Sequence, residues 1–161
     1  MSNTEFKKRL ADSRKFEKES DYQIVEEIYK NFNSGLINDE FISALFYGLD
    51  DETEDLQVTS SLIDIIFSIS AKDNISKKLS SIILSNIDTC VPHANYFFKK
   101  IIGIVALQRN IDSFSQEVIS CKEKESLMNI LLNLNEEKDF NSSWVFRQNM
   151  QTLMMILGNQ I

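Results

Sequence analysis

The chain has 161 residues, 43% hydrophobic and 25% charged, a balance typical of one globular domain rather than of a disordered segment. Four glycines and one proline provide too few turns for a many-stranded β fold, and a formal net charge of −7 disfavours direct binding to nucleic acid or anionic lipid. No stretch approaches the roughly 20 apolar residues of a membrane span and no signal peptide is recognisable, so we expect a soluble cytoplasmic protein.

The first half of the chain predicts four helices. Residues 1–18 hold sparse apolar positions among six basic residues, which indicates a short, loosely attached amphipathic helix. A strongly periodic helix is capped by Ser20 or Asp21 and ends near Gly35, and another begins at Asn38 and ends near Gly48. The acidic run that follows is expected to open a wide apolar helix over residues 52–70.

In the second half, Asn74 is expected to cap a helix, Pro92 to occupy the first turn of another, and Ser113 to cap a short one. Two more helices follow, the last over residues 142–157, where Trp144 is either a core residue or a partner anchor. The periodicity therefore predicts an all-α fold of eight or nine antiparallel helices, stacked as in HEAT repeats within a single domain over residues 1–161.

The sequence offers no arrangement of residues typical of catalysis. His93, the single histidine, has no nucleophile or carboxylate among its immediate neighbours, and the sequence contains no glycine-rich phosphate loop and no metal-binding histidine pair. Cys90 and Cys121 form no CxxC motif and are interpreted as buried free thiols. We therefore expect no enzymatic activity, no cofactor and no metal site.

One segment is strongly acidic, and no Lys, Arg or His occurs between Lys30 and Lys72. Its five clustered carboxylates are Asp50, Asp51, Glu52, Glu54 and Asp55. They either favour the N-terminal end of the following helix through its dipole or form a surface that binds a partner, and such a surface would suit a basic protein. Calcium binding is disfavoured, because the spacing is not that of an EF-hand and no loop glycine follows.

Residues 49–56 (LDDETEDL) with the apolar helix after them, and residues 91–94 (VPHA) before the aromatic stretch 95–100, resemble the immunity protein 30 family of bacterial antitoxins. The similarity covers residues 48–134. Phe97 stands where the family usually has tryptophan, and residues 103–107 are apolar where it usually has an arginine.

The resemblance implies a helical cytosolic protein, encoded beside polymorphic toxins such as those of contact-dependent growth inhibition. It would bind a cognate toxin domain and cover the toxin's active site or substrate-binding surface. Together with the acidic charge, it predicts a basic, nuclease-type toxin as partner and the five clustered carboxylates as the binding residues. The alternative is a HEAT-like scaffold or adaptor for protein–protein interaction, and the oligomeric state stays open.

Overall fold

The computed structural model describes residues 3–137 and 143–159, which form ten α-helices and two 3₁₀ turns and contain no β-strand. The all-α array is confirmed, with ten helices instead of eight or nine because one of them is a single turn. The helices are α1 (Asn3–Ser13), α2 (Tyr22–Asn33), α3 (Asp39–Leu45), α4 (Leu56–Phe67), α5 (Lys77–Ser85), α6 (Ile87–Cys90), α7 (Asn95–Ala106), α8 (Asp112–Ile119), α9 (Lys124–Asn135) and α10 (Trp144–Gly158). The 3₁₀ turns are Glu19–Asp21 and Phe46–Gly48.

Several helix ends follow the local sequence signals. Gly35 has a φ of +73°, the left-handed conformation that favours glycine just beyond the end of α2. The side chain of Asn38 accepts the N–H of Phe41 at 2.8 Å and caps α3, as predicted. Residue 142, the expected start of the last helix, lies outside the described residues, and α10 begins at Trp144 with Ser143 as its cap.

The start of α4 differs from the prediction. This helix begins at Leu56 rather than at residue 52, because Asp55 accepts the first free backbone N–H groups and fixes the cap there. Residues 50–54 therefore form a loop before α4, and the dipole of α4 does not account for the charges of this loop.

Three other predicted helix starts are wrong. Asn74 belongs to a turn, and Ser76 caps α5 instead. Pro92 lies in the turn between α6 and α7, while Ser113 lies inside α8, where the Asn110 side chain accepts the N–H of the first helical residue at 2.9 Å. For α5 and α8 a neighbouring polar side chain satisfies free N–H groups, whereas at α7 a carboxylate from a distant part of the chain does so.

The core is one continuous cluster of apolar side chains that runs from α1 to α10. Ile66 on α4 and Leu153 on α10, both predicted core residues, are fully buried. The helix α10 packs against α7, α8 and α9. Cys90 and Cys121 are buried free thiols, as predicted, and burial raises the pKa of Cys90 to about 12.

The N-terminal helix is firmly packed, unlike the loose attachment expected from its sparse apolar pattern. It contacts α2, α3 and the 3₁₀ turn Phe46–Gly48, and Leu10 is fully buried. At Gly48 an added Cβ would lie 3.0 Å from Leu62 and 3.1 Å from Leu10, so glycine allows this close approach. Within the described ranges, no helix has the length and apolar character needed to cross a membrane.

Candidate partner-binding surface

The acidic loop, residues 50–55, lies between the end of α1 and the start of α7, and its five carboxylates have different surroundings. Asp50 is only 2% exposed. Its Oδ2 accepts a hydrogen bond from Arg14 Nε at 2.8 Å, and its Oδ1 accepts one from the backbone N–H of Glu52 at 2.9 Å. Asp50 therefore holds the loop in place and is not part of an exposed binding surface.

His93 lies beside the Arg14–Asp50 pair, and both His93 and Arg14 are partly exposed. Arg14 Nη1 lies 3.3 Å from His93 Nε2, and since a guanidinium only donates, this nitrogen is the acceptor of a neutral imidazole. Burial, and next the positive charge of Arg14, hold the pKa of His93 below its ordinary value, while Asp50 and Asp51 partly oppose this. The His93 carbonyl accepts the backbone N–H of Asp51 at 2.8 Å, so the same turn positions the loop.

Asp51 caps a helix that begins 44 positions later in the chain rather than the one that follows it. Its Oδ2 accepts the N–H of Tyr96 at 2.9 Å, and its Oδ1 accepts the N–H of Phe97 at 3.3 Å. These are two of the free N–H groups in the first turn of α7, where a carboxylate also interacts favourably with the helix dipole. Asp51 thereby ties the acidic loop to α7.

Asp55 caps α4 and reaches across to α2. Its Oδ1 accepts the N–H groups of Gln57 at 3.1 Å and Val58 at 3.0 Å, and its Oδ2 accepts the hydroxyl of Tyr22 at 3.0 Å. The hydrogen bond from Val58, followed by those from Tyr22 and Gln57, lowers the pKa of Asp55 below its ordinary value, although desolvation opposes this.

Asp51, Glu52 and Glu54 are the exposed acidic residues of the loop, and of these Glu52 and Glu54 cap no helix. The Glu52 side chain is 76% exposed and pairs with Lys15 Nζ at 2.5 Å. Glu54 is exposed, and its backbone N–H donates to the Lys15 carbonyl at 2.9 Å. Its carboxylate makes no hydrogen bond or ion pair with any residue that the structure describes. These two side chains can therefore meet a partner without disturbing the fold.

Exposed apolar and aromatic side chains lie beside the acidic loop. Tyr22 bonds to Asp55, Leu56 follows that residue and is 62% exposed, and Tyr96 is exposed next to its contact with Asp51. Lys100 Nζ lies 4.6 Å from the centre of the Tyr96 ring. We name the following set the acidic–aromatic surface: Tyr22, Asp51, Glu52, Glu54, Asp55, Leu56 and Tyr96.

The sequence pattern identified the carboxylates but not the residues that surround them. Arg14 and Lys15 come from the basic N-terminal segment and partly neutralise the acidic loop. A signal for this pairing was present, because six basic residues in the first 18 positions complement a segment without any cation. No periodic pattern distinguishes the exposed Tyr22 and Tyr96 from core aromatics.

A cavity of about 320 Å³ lies away from this surface, between α5, α6 and the end of α8. Its lining includes the carboxylates of Asp88, Glu117 and Glu123 and the thiol of Cys121. Glu117 pairs with Lys77 at 3.8 Å. Within the described part of the chain, no group of three or more histidine, cysteine or acidic side chains has an arrangement that could hold a metal ion.

Comparison of the chain with models of protein families, with curated proteins and with solved structures gave no match. The resemblance to immunity protein 30 is thus carried by residues 48–134 of this sequence alone and stays a prediction. The chemistry of the acidic–aromatic surface provides the independent argument about function.

Proposed function

We propose that this protein is an immunity protein that binds a basic toxin domain through the acidic–aromatic surface and covers the toxin's active site or substrate-binding surface. The observation that carries the proposal is that the exposed Glu52 and Glu54 share one loop with Asp51 and Asp55, which contact the exposed Tyr96 and Tyr22. The class of partner comes from the resemblance of residues 48–134 to immunity protein 30.

The side chains of this surface have complementary uses in protein binding. Tyrosines are enriched among the residues that dominate binding free energy, because a rigid ring buries much area with few torsions to restrict. Carboxylates opposite a basic surface accelerate association and disfavour acidic partners. An exposed ion pair such as Glu52–Lys15 contributes little to stability, so Glu52 can exchange Lys15 for a cation of the toxin at small cost.

The loop is also fixed before binding. The Arg14–Asp50 pair and the capping bonds of Asp51 and Asp55 hold its backbone on three sides. A loop that is ordered in advance loses less conformational entropy when it binds, which favours affinity. Because the resemblance implies that the toxin is bound in the cytosol, the proposal includes a location in the bacterial cytoplasm.

The proposal is tested with the toxin domain encoded by the adjacent gene, by co-purification and by association kinetics at low and high salt. For Glu52→Lys combined with Glu54→Lys, we expect association to slow by about ten-fold or more at low salt and to lose much of its salt dependence, because attractive steering is reversed. Tyr96→Ala should mainly speed dissociation, because it removes buried contact area and leaves the charge unchanged.

The matched control is Glu125→Lys combined with Glu136→Lys, which makes the same change in net charge at the two ends of α9. It should leave the association rate near that of the wild type. Absence of a complex with the adjacent toxin would refute the immunity role. A complex with wild-type kinetics in the Glu52/Glu54 variant would retain the role but move it to another surface.

A further inference from the structure

The helix α10 presents a straight row of uncharged side chains to solvent. Trp144 is 67% exposed and Met155 is 60% exposed, and both glutamines between them are exposed. We name this row the α10 stripe: Trp144, Gln148, Gln151 and Met155. Steps of four, three and four residues keep all its members on one side of a helix, as along the seam of a coiled coil.

The opposite side of the same helix already accounts for its packing in the fold. Phe146, Met150, Leu153 and Leu157 are buried against the core. The α10 stripe therefore has no contact with the core to explain its composition. Exposed tryptophan is uncommon on surfaces without a partner and is enriched where proteins bind each other.

The low charge of α10 bears on which partner can bind to the stripe. Arg147 is the only charged residue in the sequence of α10, and the helix contains no carboxylate, although the whole chain carries a net charge of −7. Two copies of an acidic chain repel each other over most of their surfaces, and this repulsion is weakest where carboxylates are missing. The helices α5 and α7 also contain no carboxylate, but among these three only α10 exposes a tryptophan, so a second copy can approach this apolar row with little repulsion.

A groove beside the stripe provides a receptor for a large side chain. It has a volume of about 470 Å³ and is formed by one residue of α9 and four of α10, Asn135, Arg147, Gln151, Met154 and Met155. An indole ring fits within such a volume, and thioether sulfurs make favourable contacts with aromatic rings. The groove extends along α10 from Arg147 to Met155. Met155 lies at one end of the stripe and Trp144 at the other, about 16 Å away for a rise of about 1.5 Å per residue.

We propose that two copies of this chain associate through antiparallel α10 helices related by a two-fold axis. The spacing of the row is symmetric about its centre, with steps of four, three and four residues. The antiparallel arrangement therefore places each Trp144 in the groove of the other copy, beside Met155. It also places each Gln148 opposite the partner's Gln151, where the two amides can exchange hydrogen bonds. Both contacts occur twice, as an isologous interface requires.

Because the row spans only about three turns of helix, its interface is small, and the association is reversible rather than that of an obligate dimer. The proposal does not depend on the immunity role, since it uses a different helix and no carboxylate of the acidic–aromatic surface. Trp144 is the single tryptophan of the chain, so its fluorescence reports on this contact directly.

The test is sedimentation equilibrium of the full chain over a wide concentration range, together with the emission wavelength of Trp144. We expect the wild type to shift from monomer to dimer, with a blue shift of the emission as the indole leaves water. Trp144→Ala should weaken the dimer at least ten-fold, because it removes the aromatic side chain that fills the groove of the other copy.

Paired changes at the glutamines test the symmetry. Gln148→Glu combined with Gln151→Glu should abolish the dimer, because four carboxylates would then meet at its centre. Gln148→Glu combined with Gln151→Lys should retain it, because each new carboxylate then faces a new ammonium group of the other copy. Gln57→Glu combined with Ser60→Glu on α4 adds the same two negative charges elsewhere and should leave the dimer intact. Thermal melting followed by circular dichroism checks that each variant is folded.

Two results would overturn the proposal. One is a wild type that stays monomeric with constant Trp144 emission at all concentrations, which would also be the outcome if another protein occupies the stripe. The other is a dimer that tolerates both the Trp144→Ala change and the paired glutamates, because that dimer would use a different face.

Discussion

The acidic loop and the helix α10 differ in how many charged residues they contain and in how those residues are used. The loop has five carboxylates in six positions, and three of them are committed to holding α1, α4 and α7 together. The helix α10 has one charged residue in fifteen and is held on its inner side by apolar burial and by two uncharged hydrogen bonds, which the Asn149 amide donates to the carbonyls of Ala106 and Gln108. Charge density therefore does not measure how much of a surface is free to bind.

The comparison also separates two kinds of stabilisation. Burial of apolar side chains involves no charge, whereas the contacts of the loop depend on the ionised carboxylate of Asp55 and on the neutral imidazole of His93. The loss of stability caused by a substitution should therefore depend on salt and pH in the loop, and much less in α10.

Truncation of the core should have the largest effect. Leu153→Ala on α10, and likewise Ile66→Ala on α4, should lower the free energy of unfolding by about 2 to 5 kcal/mol, because both side chains are fully buried. Urea denaturation at low and high salt measures this, and the loss should be the same at both. Unchanged midpoints for both variants would contradict the core assignment.

Removal of Arg14 should come next. Arg14→Met leaves Asp50 buried without its cation and should destabilise the fold by about 1 to 3 kcal/mol. Adding Asp50→Asn should recover part of that loss, because it removes the unpaired charge. A double-mutant cycle by urea denaturation quantifies the coupling, and additive losses would show that the pair is not coupled.

The cap of α4 should contribute less. Asp55→Ala should cost about 0.5 to 2 kcal/mol, as loss of an N-cap does. Because the folded-state pKa of Asp55 is lowered, its contribution is complete above the unfolded value of about 3.9 and is lost as the pH falls through the folded value. The difference between wild type and Asp55→Ala should therefore shrink on acidification, and a constant difference would argue against the cap.

His93 should have the smallest effect, visible only as a pH dependence. Since its folded-state pKa is lowered, the unfolded chain takes up a proton first, and stability falls as the pH drops through about 6.5 towards the folded value. His93→Gln keeps an acceptor for Arg14 but does not titrate. Its melting temperature should thus vary less between about pH 7 and 5 than that of the wild type, and equal slopes would exclude His93 as the cause.

Local sequence signals predict well which segments are helical and predict poorly at which residue each helix begins. The cap at Asn38 and the glycine at position 35 act on adjacent backbone groups, so their effect is encoded within one turn. At Asn74 and Pro92 the same reasoning failed, because several neighbouring residues could start the helix and packing selected among them. The sequence does not decide whether Trp144 is a core residue or anchors a partner. Its exposure depends on which face of α10 packs against the core.

The sequence by itself determined the helical fold, the buried faces and the location of the acidic loop, because periodicity and composition act over a few neighbouring residues. Only the tertiary structure decided which carboxylates remain available. Arg14 reaches Asp50 across 36 positions and Asp51 reaches the start of α7 across 45, and no local pattern specifies either contact. A carboxylate becomes structural or free according to the donors that the folded chain brings to it, and Glu52 and Glu54 face solvent because the nearest backbone donors are taken by Asp50, Asp51 and Asp55.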